Sequence, residues 1–582
     1  MASFLFRSTL SPLLGVLAPL LLAACATIPQ AAAPPEQRGL VSAADPRAAE
    51  AGVEMLRKGG SATDAAIATM LALTVVEPQS SGIGGGGFFV QAAPEGTVET
   101  IDGREAAPAG ADPRWFLDDA GQPLPFRAAV ASGLSVGVPG NVALAADAHA
   151  RHGKLAWAEL FAPAIRLARD GWTITERAHA FLVRARVTAA RDPAGKALFY
   201  DAAGEPVPVG TTVRNPALAD TLERIARDGP DAFYRGAFAE AAAAAVAADT
   251  PRAAHRSGAM AASDFAAYRA KERAAVCGTY RLYRICGMGP PSSGATTVLA
   301  ILGQLERFDL KGLGKDSPVF WHLFAESQRL AHADRERFLA DPDFIAVPAT
   351  ELIAPAYLAK RSALIDPAKT LDKAEPGLDL PPPDGMEPPE RGTSHFVAVD
   401  GAGNAVSYTS TIEGPFGSGL MAGGFYLNNE LTDFSFTPGS PAAPVANRVE
   451  GGKRPRSSMA PTVVFAPDGR LFMAVGAAGG ATIPVQVSKV LIGVIDLALP
   501  LDEALALPVL FAPADTVFIE PETSLTAMIP ALKALGHRQV QERALPLKAN
   551  AAIRRDGASH EKSPPQWQGA ADPRSEGRAV SE

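Results

Sequence analysis

The residues with the clearest chemical potential form the stretch Gly392-Thr393-Ser394-His395-Phe396. Before it runs a proline-rich, charged segment, residues 380–391, and after it residues 395–400 alternate apolar and polar. The chain then turns at Gly401-Ala402-Gly403-Asn404 and resumes a β-like run over residues 405–411. This pattern predicts a mobile linker feeding a β-hairpin, with a threonine at or near the first position of the strand. Such a threonine is ordinary strand material. Its chemistry changes if the chain is cut before it. The freed Thr393 then carries a nucleophilic hydroxyl and a base on one residue, because an α-amine with a pKa of roughly 7.7–8.0 accepts a proton near neutral pH.

Other residue types invite a chemical reading. Residues 471–475 form an apolar strand that runs into Gly476-Ala477-Ala478-Gly479-Gly480. Gly479 and Gly480 are suited to presenting successive backbone N–H groups to an oxyanion, though a plain turn has the same composition. Arg104, in Asp102-Gly103-Arg104-Glu105, reads either as a solvated arginine at a strand end or as a bidentate carboxylate clamp. Residues 82–87 satisfy G-x-G-x-x-G, but these glycines leave a helix and feed a strand, the reverse of a dinucleotide site. Close backbone approach is the better reading. His322 and His332 share a predicted long helix opened by Ser317-Pro318, at a spacing that suits surface or core histidines better than a ligand pair. With no HExxH, P-loop or CxxC pair in the sequence, neither a metal nor a cofactor is expected.

These residues need a scaffold. Asp45-Pro46 opens a helix that Gly59-Gly60 closes, and an alanine-rich helix follows over residues 62–75. Residues 88–91 and 97–101 read as paired strands, and the chain from 142 to about 386 as largely helical. The first segment is an address. Arg7 precedes an apolar stretch over residues 10–22, too short for a membrane span of about 20 residues. It ends in Leu22-Ala23-Ala24-Cys25, which resembles a lipobox; a secretory signal cut near the same point is the alternative. Residues 1–24 are therefore expected to be an export signal, Cys25 to be lipidated, and the protein to be periplasmic and membrane-anchored. In an oxidising compartment a disulfide between Cys277 and Cys286 is plausible. The 582 residues, 47% hydrophobic with a formal net charge of −8 and no basic cluster, suit a large globular enzyme and argue against a nucleic-acid partner.

Taken together, the segments resemble the γ-glutamyltranspeptidase family of N-terminal nucleophile hydrolases over nearly the whole mature chain. The resemblance rests on Gly59-Gly60-Ser61-Ala62-Thr63-Asp64-Ala65-Ala66, Gly84-Gly85-Gly86-Gly87-Phe88, Asp102-Gly103-Arg104-Glu105 and Pro290-Pro291-Ser292-Ser293-Gly294. Downstream it rests on Thr393-Ser394-His395, Leu427-Asn428-Asn429, Asp433-Phe434-Ser435, Arg454-Pro455-Arg456-Ser457-Ser458-Met459, Gly479-Gly480 and Asp572-Pro573-Arg574. Their number and order make the match specific.

The resemblance implies an α+β, four-layer αββα fold and self-cleavage between Gly392 and Thr393, giving a large chain 25–392 and a small chain 393–582. Thr393 would attack the γ-carbonyl of a glutamyl donor, and water, an amino acid or a dipeptide would resolve the acyl-enzyme. Thr411 would bond to the freed amine, and Gly479 and Gly480 would hold the oxyanion. Arg104, Ser457 and Ser458 would bind the donor's α-carboxylate, and Glu430 and Asp433 its α-ammonium. Two departures bear on substrate. Glu413 stands where the classical family has an asparagine, and the segment between Asp433 and Ser457 is short and lacks a lid tyrosine. An acylase of the same fold acting on other dicarboxylic-acyl amides is the alternative, and an unprocessed, inactive binding lipoprotein the non-enzymatic one.

Overall fold

A computed structural model describes residues 39–253, 259–379, 392–555 and 566–582. The leader with Cys25 and the proline-rich linker lie outside the described residues. In chain order the strands of the two central sheets are β1 (Leu40–Ala43), β2 (Gly86–Ala92), β3 (Val98–Gly103), β4 (Lys271–Arg273), β5 (Val276–Tyr280), β6 (Tyr283–Gly287), β7 (Ser394–Val399), β8 (Ala405–Thr411), β9 (Thr462–Phe465), β10 (Leu471–Ala478), β11 (Lys548–Arg555), β12 (Gln566–Ala571) and β13 (Arg578–Ser581). The first sheet runs β13-β1-β7-β8-β2-β3-β4 and the second β12-β11-β10-β9-β6-β5, all pairs antiparallel.

Period-two alternation builds the layers. Phe396, Ala398, Val406, Tyr408 and Phe89 face the core beneath α1 (Pro46–Arg57) and α2 (Ala62–Val76). Their neighbours Val397, Val399, Ala405, Phe88 and Val90 face the core shared with the second sheet. On the far side of that sheet lie α3 (Gly294–Leu305), α4 (Pro318–Phe338) and α5 (Ile483–Ile495), whose apolar residues join the same core. The result is the expected four-layer αββα arrangement. Between the two sheets, Ser407 Oγ donates to Val475 O at 3.1 Å and accepts from Thr462 N at 3.0 Å, which fixes their mutual register.

Local signals account for the helices near the first sheet. Pro46 stands in the first turn of α1, with the Asp45 side chain accepting from Arg47 N. Ser61 and Asp64 form a capping box at the start of α2. The glycines after α2 lead into β2, the order helix, glycines, strand. The expectation of a largely helical stretch from 142 to 386 needs correction. Strand β4, at the edge of the first sheet, and the hairpin β5–β6, whose β-rich residues 276–287 complete the edge of the second, interrupt it, and residues 380–386 lie outside the described residues. Cys277 and Cys286 are directly opposite in that hairpin and form a disulfide. Among the described residues no helix is long and apolar enough to cross a membrane.

Leu302 is fully buried in the α3 face against the second sheet. Leu302→Ala is expected to lower unfolding free energy by about 2–5 kcal/mol, the range for a buried leucine cavity. Urea denaturation followed by circular dichroism measures it.

Candidate active site

Thr393 is buried at the start of β7, in the continuous chain that joins it to Gly392. Its hydroxyl lies against its own upstream carbonyl, donating to Gly392 O. Thr411, the last residue of β8, donates its hydroxyl to the same carbonyl oxygen at 3.1 Å and stands 3.5 Å from Thr393 Oγ1. The β7–β8 ladder makes this meeting possible: residues 18 apart in sequence become neighbours at one end of a hairpin. Thr411 Oγ1 in turn accepts from Glu413 N at 2.8 Å. The chain closes tightly over the junction, since a Cβ on Gly392 would fall 1.9 Å from Glu413 O.

Below the junction, Lys548 Nζ approaches Thr393 O at 3.4 Å and both oxygens of Glu77 at 3.0 Å. Lys548 opens β11 directly opposite Ala478 of β10. The turn after Ala478 carries Gly479 at φ 137° and Gly480 at φ 60°, backbone that a side chain disfavours. Both donor glycines of the sequence reading thus follow the strand residue paired with the lysine that touches Thr393.

A second cluster surrounds Arg104, which is 1% exposed, so the solvated reading fails. Its guanidinium pairs with Glu430, with Asp433 at 2.5 Å and with the carbonyls of Pro455 at 3.2 Å and Arg456 at 2.8 Å. Glu105 lies 3.9 Å from Arg104 Nη1. Burial pushes Glu105 and Glu430 above the usual carboxylate range despite Arg104, and for Glu430 the charges of Glu105 and Glu413 add to the rise. One guanidinium therefore faces several carboxyls, and a proton held within the group relieves their repulsion. Glu413 accepts from Asn429 Nδ2 and sits at φ 69°, a left-handed conformation more usual for asparagine.

Several loops set these side chains. Asp102 accepts from Arg104 N at 2.9 Å and pairs with Arg454 at 2.5 Å. Asn428 Oδ1 accepts from Glu430 N at 3.1 Å, orienting the short helical turn Glu430–Asp433. Ser457 and Ser458 are buried; Arg335 donates to Ser458 Oγ at 2.7 Å, and Ser457 O accepts from Ser293 N at 2.7 Å. The Pro290–Gly294 motif thus buttresses the serine pair. Phe436, early in the short segment between Asp433 and Ser457, stacks on Phe116, a contact that anchors this part of the segment.

The histidines are buried as well. His322 Nδ1 and His537 Nε2 share a hydrogen bond of 2.8 Å, while His332 Nδ1 bonds Gln328 O, so the two histidines of the long helix have separate partners. His322, Glu326 and His537 offer three potential metal-ligand atoms within 4.8 Å. Glu326 is already occupied, accepting from Arg329 at 2.8 Å, Thr370 at 2.7 Å and Leu371 N at 2.7 Å, so the trio ties α4 to flanking loops.

The structure brings Thr393 together with Thr411, and Arg104 together with Glu430 and Asp433. Sequence reasoning missed Glu77 and Lys548. Neither lies in a recognisable motif, and a Glu before Pro78 or a Lys opening a strand carries no local signal.

The family model for γ-glutamyltranspeptidase matches residues 48–581. A glutathione hydrolase proenzyme of Escherichia coli K12 is 37% identical over 480 residues, covering 81% of this chain and 80% of that protein. An acylase ACY 1 proenzyme of a Pseudomonas species is 34% identical, covering 87% and 88%. Among solved structures, a cephalosporin acylase from Bacillus halodurans superposes with a TM-score of 0.80 at 26% identity, covering 94% of this chain and 96% of that one.

Arg104→Ala strands the Glu430 and Asp433 carboxyls in a buried site. A loss of about 3–5 kcal/mol in unfolding free energy is expected, as for other broken buried pairs. An unchanged urea midpoint would show that the cluster relaxes by taking up protons.

Proposed function

The chain belongs to the γ-glutamyltranspeptidase family, and we propose that it is a self-processing γ-glutamyl transferase and hydrolase acting on glutathione and related γ-glutamyl amides. The observation that carries this reading is the Thr393 hydroxyl lying against the Gly392 carbonyl, with Thr411 donating to the same oxygen. In that geometry Oγ attacks the Gly392 carbonyl carbon as Thr411 polarises the oxygen. The C–N bond breaks, the α-amine takes the proton, and water hydrolyses the ester left on Oγ. The products are chains ending at Gly392 and beginning at Thr393.

The freed amine then acts as base in turnover. It accepts the hydroxyl proton as Oγ adds to the donor's γ-carbonyl, and gives a proton to the departing amine. Backbone N–H groups of Gly479 and Gly480 are assigned to the tetrahedral oxyanion, each worth a few kcal/mol at such sites. Water or an amino acid or dipeptide amine displaces the γ-glutamyl group from Thr393.

The Arg104 cluster suits a donor that carries both charges. An α-carboxylate is attracted to Arg104, supported by Ser457 and Ser458, while an α-ammonium is attracted to Glu430 and Asp433. Binding both exchanges internal pairs for pairs with substrate. We assign this reaction to the periplasm at a membrane surface, an assignment that rests on reading residues 1–24 as an export signal and Cys25 as a lipidation site in the sequence.

A second reading, an acylase of the same fold acting on other dicarboxylic-acyl amides, is favoured by the acylase relatives. The Glu413 carboxylate raises negative charge beside the site assigned to the donor, which disfavours the distal carboxylate of γ-glutamyl and glutaryl donors alike and favours a cationic group. A panel of γ-glutamyl and glutaryl amides separates the two.

Intact mass of the purified protein beside Thr393→Ala is the first test: two chains split before Thr393 are expected in the wild type, and one uncut chain in the variant. A processed, active variant would remove Thr393 from the mechanism. Glu413→Asn, at a backbone conformation asparagine favours, is expected to lower KM for glutathione several-fold; a loss of turnover instead would give Glu413 a positive role.

A further inference from the structure

Beneath the nucleophile lies a buried ion pair that the steps above do not use. Lys548 Nζ stands 3.0 Å from each Glu77 oxygen, 3.3 Å from Ser80 Oγ and 3.4 Å from Thr393 O. Glu77 accepts from Ser394 Oγ at 2.5 Å, so the pair grips two consecutive residues at the head of β7. On its other side, Lys548 N donates to Gln486 Oε1 at 3.3 Å. Gln486 Nε2 donates to Ala478 O and Thr482 Oγ1, both at 2.9 Å, spanning the turn that holds Gly479 and Gly480.

We propose that Lys548, held by Glu77, is a positioning residue that sets the Thr393 main chain against the Gly479-Gly480 turn. The proposal rests on reading Thr393 as nucleophile and those glycines as oxyanion donors. Its argument is geometric. Thr393 immediately precedes a strand of the first sheet and the glycines follow a strand of the second, so no ladder hydrogen bond fixes the distance between them. Lys548 belongs to the second sheet, touches the nucleophile's carbonyl through its side chain, and connects through Gln486 to the turn. A buried Lys–Glu pair contributes little stability over apolar packing, whereas a misplacement of about 1 Å at a reacting centre lowers rate roughly 10²-fold.

The pair also sets local charge. Burial and nearby Arg177 push Lys548 down to about 8, against the pull of Glu77 and Asp45. Burial alone would raise Glu77, but Lys548 and Arg177 overcome it and hold the carboxyl below its usual value. Arg177 lies 3.4 Å from Glu77, and Asp45 is itself paired with Arg47. An ammonium beside Thr393 lowers the affinity of the freed α-amine for a proton, and the Glu77 carboxylate raises it.

Self-cleavage, kcat and KM on γ-glutamyl-p-nitroanilide, and the acid limb of the kcat–pH profile in Lys548→Met, Lys548→Arg and Glu77→Gln test this. Lys548→Met is expected to slow cleavage and lower kcat roughly 10²-fold, with little change in KM and with the acid limb moved to higher pH. Glu77→Gln is expected to move that limb to lower pH, and Lys548→Arg to recover part of kcat. Limbs that stay in place or move in one direction, or variants that cleave and turn over at wild-type rates, would reduce the pair to a structural buttress. If Lys548→Met does not fold, Glu77→Gln decides, an unmoved limb overturning the proposal. Wild-type protein that cleaves itself yet ignores the γ-glutamyl anilide would sink the donor assignment, and cleavage rates alone would then judge Lys548.

Discussion

Burial of β7 on both faces is the constraint on which the rest of the molecule depends. Phe396 and Ala398 require the helical layer of α1 and α2, and Val397 and Val399 require a second sheet. Each sheet then needs a cover of its own, which gives the four layers. A strand buried in this way is held by β8 from Ser394 to Val399 and by β1 from Phe396 to Val399. Thr393, immediately before it, is thereby set beside Thr411 at the end of β8.

Polar chemistry inside so apolar a frame has to be paired. Arg104 is met by the carboxyls of Glu430, Asp433 and Glu105 and by the carbonyls of Pro455 and Arg456, and Lys548 by Glu77. His395, between the sheets, shows the opposite solution: burial pushes its pKa down to about 3, and the neutral ring bonds Thr409 Oγ1 at 2.9 Å. Two such paired groups stand at the head of β7 and at Arg104, where the reaction assigned to this chain develops or recognises charge. The uncharged imidazole is left to packing, against Gly476. Where opposite charge outweighs burial, as at Glu77, ionisation is kept, and where nothing opposes burial, as at His395, it is lost.

Much of this was legible in the sequence. The hairpin around Gly401–Asn404, the helix opened by Pro46, the alanine-rich helix after it, and the alternation of residues 395–399 are local signals, and they appeared where expected. Where the reading of long helices failed, at residues 276–287, the cause was a hairpin whose inner strand, β6, pairs with β9 far downstream. Arg104 looked like a surface residue or a clamp until its neighbours were known, because a single arginine has no periodicity to interpret.

By itself the sequence determined which residue types were available and where backbone could adopt special shapes. A threonine stood at a strand head after a proline-rich stretch, glycines followed an apolar strand, and capping residues bounded the helices; each follows from sterics and hydrogen bonding within a few residues. Only the tertiary structure decided the partners. Glu77 and Lys548 are 471 residues apart, and Arg104 and Glu430 are 326 apart. Pairing over such separations is selected by the low-dielectric interior, which makes an unmatched charge costly and so matches whatever charges the layers bring together. That selection acts on the folded chain alone, and it leaves no periodic trace in the order of the residues.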